Sequence, residues 1–377
     1  MIKTDKQNMR TWLVLDKKAL VHNVKKLRTR LHSQQKFMAV VKANAYGHGL
    51  FEILGILESA YVDSYAVFDF EDAVFIRSKS KRPILVLCNT HSVFFEIAAR
   101  QNIAITVSSL DGLQALLEYR GKRKLEIHIK VDTGLGRQGF TVEMFEQVKK
   151  ILKKLPKTVS ISGLYTHFSG TEEKVFDSYT KKQYENLLAW KIMICELGHT
   201  PLVHAGATSG SLRFRGFQLD IARFGIGMYG LWPSKTVESA CAQIQLKPVL
   251  SWYTCVTEVK SLPKGSSIAY DRTHILQKDS TVALIPVGYY DGIPRTLSDR
   301  GYVLIHGKKA PILGRVMMNM IVVDVSNCGK VRAGDIVTII GKGKKGSISL
   351  EEFASLSGTI NYESVTRINP LLPRIVT

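Results

Sequence analysis

Cysteine and proline are sparse in this chain of 377 residues, with 5 and 11 copies respectively. The cysteines, Cys88, Cys195, Cys241, Cys255 and Cys328, are scattered and form no Cys-x-x-Cys pair. That argues against a disulfide framework or a zinc cage and fits a reducing cytoplasm. No apolar run approaches the roughly 20 residues that a bilayer-spanning helix needs. The opening "MIKTDKQNMR" is charged, with no apolar core before "WLVLD", so a secretory signal is not expected. Acidic residues are outnumbered, 32 against 52 basic ones, which leaves a net charge of +20. Such an excess binds nucleic acid when it is clustered. Here it is spread along helical patterns such as "KKALVHNVKKLRTRL" and "VKKILKKLPK", apart from a short "GKGKKG", with no aromatic-interleaved platform. Solvated helix faces explain it, with some long-range pull on small anions.

What is present is alternation. From about Thr11 to Gly230, β-branched runs such as "WLVLD", "FMAVV", "SYAVFDF", "RPILVLC", "IAITV", "LEIHIKV" and "SISGLY" each precede an amphipathic helical pattern. Nearly continuous apolar strands followed by helices predict a parallel sheet covered by helices. About eight such units suit a closed (β/α)8 barrel. After "LWPSK" the pattern turns to strands separated by Gly, Pro and Asp turns, which predicts a mostly-β domain. The expected layout is an N-terminal extension over 1–10, a TIM-like barrel over 11–240 and a mostly-β domain over 241–377.

Barrel chemistry collects at the C-terminal ends of the strands. There the sequence offers Lys42, Asn44 and Tyr46 in "VVKANAYGHG", and Lys130, Asp132 and Arg137 in "KVDTGLGRQG". It adds His167 in "YTHFSG", His204 and Thr208 in "HAGATSG", and Arg223 in "ARFGIG". This set lacks the His/Asp/Glu grouping of a metal hydrolase, the opposed carboxylates of a glycosidase and the G-x-S-x-G of a serine hydrolase. A cationic pocket with one strand-end lysine suits a phosphorylated aldehyde, which the amine captures while backbone N–H groups and hydroxyls hold the phosphate. Pyridoxal phosphate meets that description.

"VVKANAYGHG" also resembles the cofactor-lysine signature of the alanine racemase family. The similarity runs in order through "KVDTGLGRQG", "YTHFSG", "ARFGIGMYGL", "IAYDRT", "PVGYYDG", "GRVMMNM" and "INYESVTRI". The resemblance implies a pyridoxal 5'-phosphate-dependent isomerase, acting as a cytoplasmic homodimer that supplies D-alanine for peptidoglycan. It implies that Lys42 holds the cofactor and serves as a base on one face of the substrate. Tyr270, from the partner subunit, would be the base on the other. Because a phenol ordinarily titrates near about 10, a base of this type needs positive charge nearby.

By the same resemblance Arg223 faces the pyridine nitrogen, His167 supports it, and Arg137 serves cofactor and substrate. Tyr46, Tyr362, Gly225, Ile226 and Thr208 hold the phosphate. Met318 offers its backbone to the substrate carboxylate and Tyr289 narrows the entrance. Lys130 matches a lysine that is often carbamylated. The chain departs from common relatives at Thr208 (serine), at Asn319 (aspartate) and at Asp271 (glycine), and Asn319 leaves the substrate range open. No role is expected of His48, His204 or His274, Asp132 is expected to brace its turn, and Met317, Met318 and Met320 are compatible with core filler. The alternatives are a racemase of wider range, acting on serine or lysine, and a non-catalytic pyridoxal-phosphate-binding protein. No nucleic acid, membrane or metal partner is expected.

Overall fold

A computed structural model describes residues 9–377, so the expected extension over 1–10 lies outside the described residues except for Met9 and Arg10. Strand β1 is Thr11–Leu15. The next eight are β2 (Lys36–Val40), β3 (Ser64–Val67), β4 (Ile84–Asn89), β5 (Ile103–Val107), β6 (Leu125–Lys130), β7 (Val159–Tyr165), β8 (Leu202–His204) and β9 (Ile221–Phe224). These eight form a closed parallel barrel, shut by β2 pairing with β9 from Lys36↔Ile221 to Ala39↔Phe224. Strands β3, β5 and β9 are buried at every position, as a sheet covered on both faces requires. The barrel unit comprises Val21–Ala45 and Leu54–Lys247. Ser109 caps the helix Leu110–Leu117, accepting from the Gly112 N–H at 3.2 Å.

The expected eight-stranded barrel is present, with one change in which runs form it. "WLVLD" is not a barrel strand; β1 pairs antiparallel with β10 (Leu250–Cys255) and parallel with the C-terminal segment Arg374–Val376. The eighth barrel strand is β9, within "QLDIARFGIG". A five-residue apolar run carries no mark of which sheet it will join.

The second unit comprises residues 9–20, Tyr46–Ile53 and Pro248–Thr377. Its further strands are β11 (Glu258–Leu262), β12 (Ser267–Ile268), β13 (His274–Ile275), β14 (Ser280–Ile285), β15 (Tyr302–Ile305), β16 (Lys308–Leu313), β17 (Ile321–Asp324), β18 (Ile336–Lys342), β19 (Ser347–Ile348) and β20 (Arg374–Val376). The main sheet runs β11-β14-β17-β16-β15-β18-β10-β1-β20, and β12 and β13 form a separate hairpin. Strand β10 alternates in burial along "LSWYTC", placing Trp252 inside, where its indole N–H donates to Thr11 Oγ1 at 2.9 Å. Ile268, Leu276, Val282, Leu313 and Val322 make a compact core against which Ala269 and Met317 pack.

Candidate active site

Lys42 follows β2 at the C-terminal end of the barrel. The residues after it, Ala43, Asn44, Ala45 and Tyr46, all have φ of 53–54°. These four successive residues are in the left-handed region without a glycine. The right-handed form is favoured by roughly 1–2 kcal/mol per residue, so several kcal/mol are stored in this turn. Such strain persists only where its surroundings over-determine it, and it gathers at functional sites. Gly47 ends the turn at φ +75°, and a Cβ there would lie 2.1 Å from the Val365 carbonyl oxygen, so only glycine fits.

The Lys42 amine is held below its ordinary pKa by burial, then by the charges of Arg137 and Arg223. Lys130, at the end of β6, is lowered to about 8 by burial, then by Arg223, Arg137 and Lys42. Its Nζ donates to Gln138 Oε1 at 2.7 Å, and Gln138 Nε2 donates to Ser108 Oγ at 3.0 Å. Asp132 accepts the backbone N–H groups of Gly134, Leu135, Gly136 and Arg137 at 2.7–3.2 Å. Burial opposes its charge, but these donors hold the carboxyl below its usual range. It braces the loop that carries Arg137, as expected.

Arg223 on β9 is 3% exposed and pinned. It donates to His204 Nδ1 at 2.6 Å, to the carbonyls of Ala205 and Thr166 at 2.7 and 2.9 Å, and to His167 Nδ1 at 3.2 Å. His204 Nε2 lies 2.9 Å from His128 Nδ1. A guanidinium only donates, so His204 Nδ1 must accept. His204 Nε2 then carries the proton and donates it to His128. The His204 ring stacks on Tyr165, 4.6 Å between centroids at 6°. Gly163 makes room for this chain, because a Cβ there would fall 2.2 Å from His128 Nδ1.

His204, for which the sequence suggested no role, is thus the nearest support of Arg223, with the expected His167 a second one. Burial, followed by the Arg223 charge, pushes His128 down to about 3 and holds His167 and His204 well below the usual histidine value. A histidine kept neutral in the fold but free to protonate when unfolded, near 6.5, contributes stability that is full above 6.5 and is lost as pH falls below it. Each such histidine adds at most about 1.4 kcal/mol per pH unit. Urea unfolding is expected to show stability dropping from pH 7 to pH 5. In His128→Gln the slope should shrink by about one proton; an unchanged slope would count against the assignment.

Thr208 is buried at the start of the helix Thr208–Arg213, and its Oγ1 accepts from the Gly227 N–H at 3.4 Å. Gly225 and Ile226 lead into the short turn Ile226–Tyr229, every residue of which is buried. A Cβ on Gly227 would stand 2.6 Å from Thr208 Cγ2. The barrel unit therefore brings together Lys42, Lys130, Arg137, His167 and Arg223, which feel one another's charge, together with Thr208 beside the Gly225–Gly227 turn.

In the second unit, Tyr46 and Tyr362 face each other, 6.3 Å between ring centroids. His48 Nδ1 lies 3.0 Å from the Tyr46 carbonyl. Tyr270 is 67% exposed, on a turn where Ala269, Asp271 and Arg272 all have positive φ. Asp271 at +61° occupies a conformation that glycine adopts freely and aspartate tolerates. Its carboxylate lies 3.0 Å from Arg315 Nε. The Tyr289 N–H donates to the Met317 carbonyl and the Tyr290 N–H to that of Met318, both at 3.0 Å. Met317 packs on the core, whereas Met318 and Met320 are exposed. Core filling therefore accounts for Met317 alone. Asn319 is half-buried. His274 pairs with Asp299 at 2.7 Å.

Among the described residues no three His, Cys, Asp or Glu side chains converge as metal ligands, and no helix is long and apolar enough to cross a membrane. Two family models match: "Alanine racemase, N-terminal domain" over residues 15–233 and "Alanine racemase, C-terminal domain" over 249–376. The alanine racemase of Methanococcus maripaludis is 36% identical over 97% of this chain and 98% of its own. The crystal structure of alanine racemase from Bacillus anthracis with bound L-Ala-P superimposes with a TM-score of 0.92 at 33% identity, covering 98% of this chain and 95% of that one. A histidine racemase from Leuconostoc mesenteroides subsp. sake is similar too, with a TM-score of 0.89, 27% identity and 98% of each chain covered.

Proposed function

The chain belongs to the alanine racemase family, and from that premise we propose that it interconverts L- and D-alanine with pyridoxal 5'-phosphate as its cofactor. The observation that carries this reading is Lys42: a strand-end amine whose pKa is lowered by burial and by the charges of Arg137 and Arg223, leading into a strained turn. The donor set fits the cofactor. Lys42 would hold its aldehyde carbon and Arg223 would face its ring nitrogen. Thr208, the backbone of Gly225 and Ile226, Tyr46 and Tyr362 would hold its phosphate. When bound, the cofactor withdraws electron density from the substrate Cα and so acidifies its C–H bond.

The protein's own groups then move the proton. Lys42 Nζ, whose lowered pKa favours the neutral amine, accepts or returns it on one face of Cα. The Tyr270 hydroxyl does so on the other, supplied by a partner subunit of a homodimer. Residues 11–240 thus act as the cofactor-binding part and 241–377 as the source of the second base. Arg223, pinned by its acceptors, keeps its own proton and so would offer none to the cofactor's ring nitrogen. Such an arrangement would favour return of the proton to Cα over side reactions. Arg137 and the Met318 backbone orient the substrate carboxylate, and Tyr289 narrows the way in.

Lys130 belongs to the same proposal as a carbamylated side chain. With a pKa of about 8, its amine is neutral often enough to attack carbon dioxide. The new C–N bond releases a proton to solvent and leaves an anion to meet Arg137. An intact mass one carbon dioxide heavier in bicarbonate buffer is expected; an unmodified Lys130 there overturns this element.

A cytoplasmic location and a supply of D-alanine for peptidoglycan complete the reading. Incubated with L-alanine in deuterium oxide, the protein is expected to form D-alanine and carry solvent deuterium onto Cα of both enantiomers. Recovered alanine free of α-deuterium overturns the assignment. A second reading, a racemase of wider range, is supported by Asn319 and by the likeness to a histidine racemase. Comparable rates on alanine, serine, lysine and histidine would favour it over the first.

A further inference from the structure

At the N-terminal end of the barrel strands lies a cavity of about 240 Å³ whose lining includes Arg30, His32, Gln35, Phe214, Arg215 and Phe217. Gln35 immediately precedes β2, and Lys42 lies past the other end of that strand. At about 3.3 Å per residue the two ends are roughly 15–20 Å apart, so this is not the site described above. Its volume is below the roughly 300–1,000 Å³ of drug-sized pockets and suits a small metabolite.

No carboxylate lines the cavity. Arg215 Nε donates to the Arg30 carbonyl at 3.2 Å, which ties the two arginine segments together. Arg30 Nε is buried with no hydrogen-bond partner. Arg213, two residues before Arg215, is neutralised by Asp177 at 2.8 Å; the cavity offers its own arginines no such acid. An orphaned buried donor is unfavourable until an acceptor arrives. His32 is turned away from this task, because its Nε2 donates to the Leu219 carbonyl at 3.2 Å.

The aromatic lining is held flat. Phe217 stacks on Tyr184 at 4.0 Å and 3°, and on Phe214 at 5.1 Å and 26°. Guanidinium groups recognise phosphate oxygens, and a rigid apolar wall accepts an apolar ring. We propose that this cavity is a second binding site, for a small phosphate monoester with a planar ring. The arginines take the phosphate and the apolar wall of Phe214, Phe217 and Leu219 takes the ring.

The test is calorimetric titration of the cofactor-loaded protein at fixed ionic strength, with phenyl phosphate and with inorganic phosphate as probes. Cofactor loading keeps the barrel's own phosphate-binding residues occupied. One saturable site is expected, several-fold tighter for phenyl phosphate than for inorganic phosphate. Arg30→Gln and the exposed Arg215→Gln should each weaken it about tenfold or more, with thermal midpoint and visible absorbance retained. A Lys122→Gln/Lys124→Gln double variant removes two exposed charges from the loop before β6 and should bind as the parent does. Absence of saturable binding, equal affinity for the two probes, an unchanged Arg215→Gln, or equal weakening in the lysine control would each overturn the proposal. The last outcome would assign the effect to the +20 net charge instead.

Discussion

Lys42→Ala is expected to leave a folded protein that no longer develops the visible absorbance of a bound pyridoxal cofactor and racemises alanine at least ~10^4-fold more slowly. Two losses combine. The amine that would attach the cofactor is gone, and so is the proton carrier on one face of Cα; together they act on the same transition state, at about 1.4 kcal/mol per tenfold. The fold should tolerate the change. Burial and the neighbouring Arg137 and Arg223 disfavour the charged lysine, so removing it relieves repulsion and breaks no ion pair. The left-handed turn that follows is held by its surroundings, including the close approach of Gly47 to Val365. Absorbance, a chiral alanine assay and a thermal melt check the three parts. Racemisation within tenfold of the parent in Lys42→Ala would remove Lys42 from the mechanism.

Lys42, Arg137, Lys130 and Arg223 were legible in the sequence because strand ends carry barrel chemistry and their motifs resemble one family. The barrel was legible because apolar strands alternate with amphipathic helices. Membership of the first strand was not: "TWLVL" is apolar on both faces, which suits either a barrel or the mixed sheet it joins. His204 stayed hidden for a different reason. A histidine in an apolar run reads as core, and its role depends on Arg223, 19 residues later, returning to within 2.6 Å.

The left-handed turn was hidden as well. "KANAY" favours an ordinary right-handed helix by local preference, and only tertiary packing reverses its hand. Asp271 was visible as a departure from glycine, but the reason for glycine there, a φ of +61°, is a property of the folded turn. Local composition marked the candidate groups; the strain in the turn after Lys42 and the partners of Arg223 come from contacts distant in sequence.

Tyr270→Phe separates the two faces of the reaction. The substitution removes one hydroxyl from a side chain that is 67% exposed, so stability should change by less than about 0.5 kcal/mol. Absorbance of the bound cofactor should persist, because Lys42 remains. Racemisation should fall roughly 10²–10⁴-fold, the range that a positioned general acid–base group supplies. The isotope pattern is more diagnostic than the rate. With Lys42 still able to lift and return a proton on its own face, one enantiomer of alanine should exchange its α-hydrogen for deuterium without inverting. The other enantiomer, whose proton points to the vacated face, should stay unlabelled. A variant in which both enantiomers slow equally and neither exchanges alone would mean that Tyr270 places the substrate and does not carry the proton. Full racemisation in Tyr270→Phe would remove the second face from this chain's chemistry altogether.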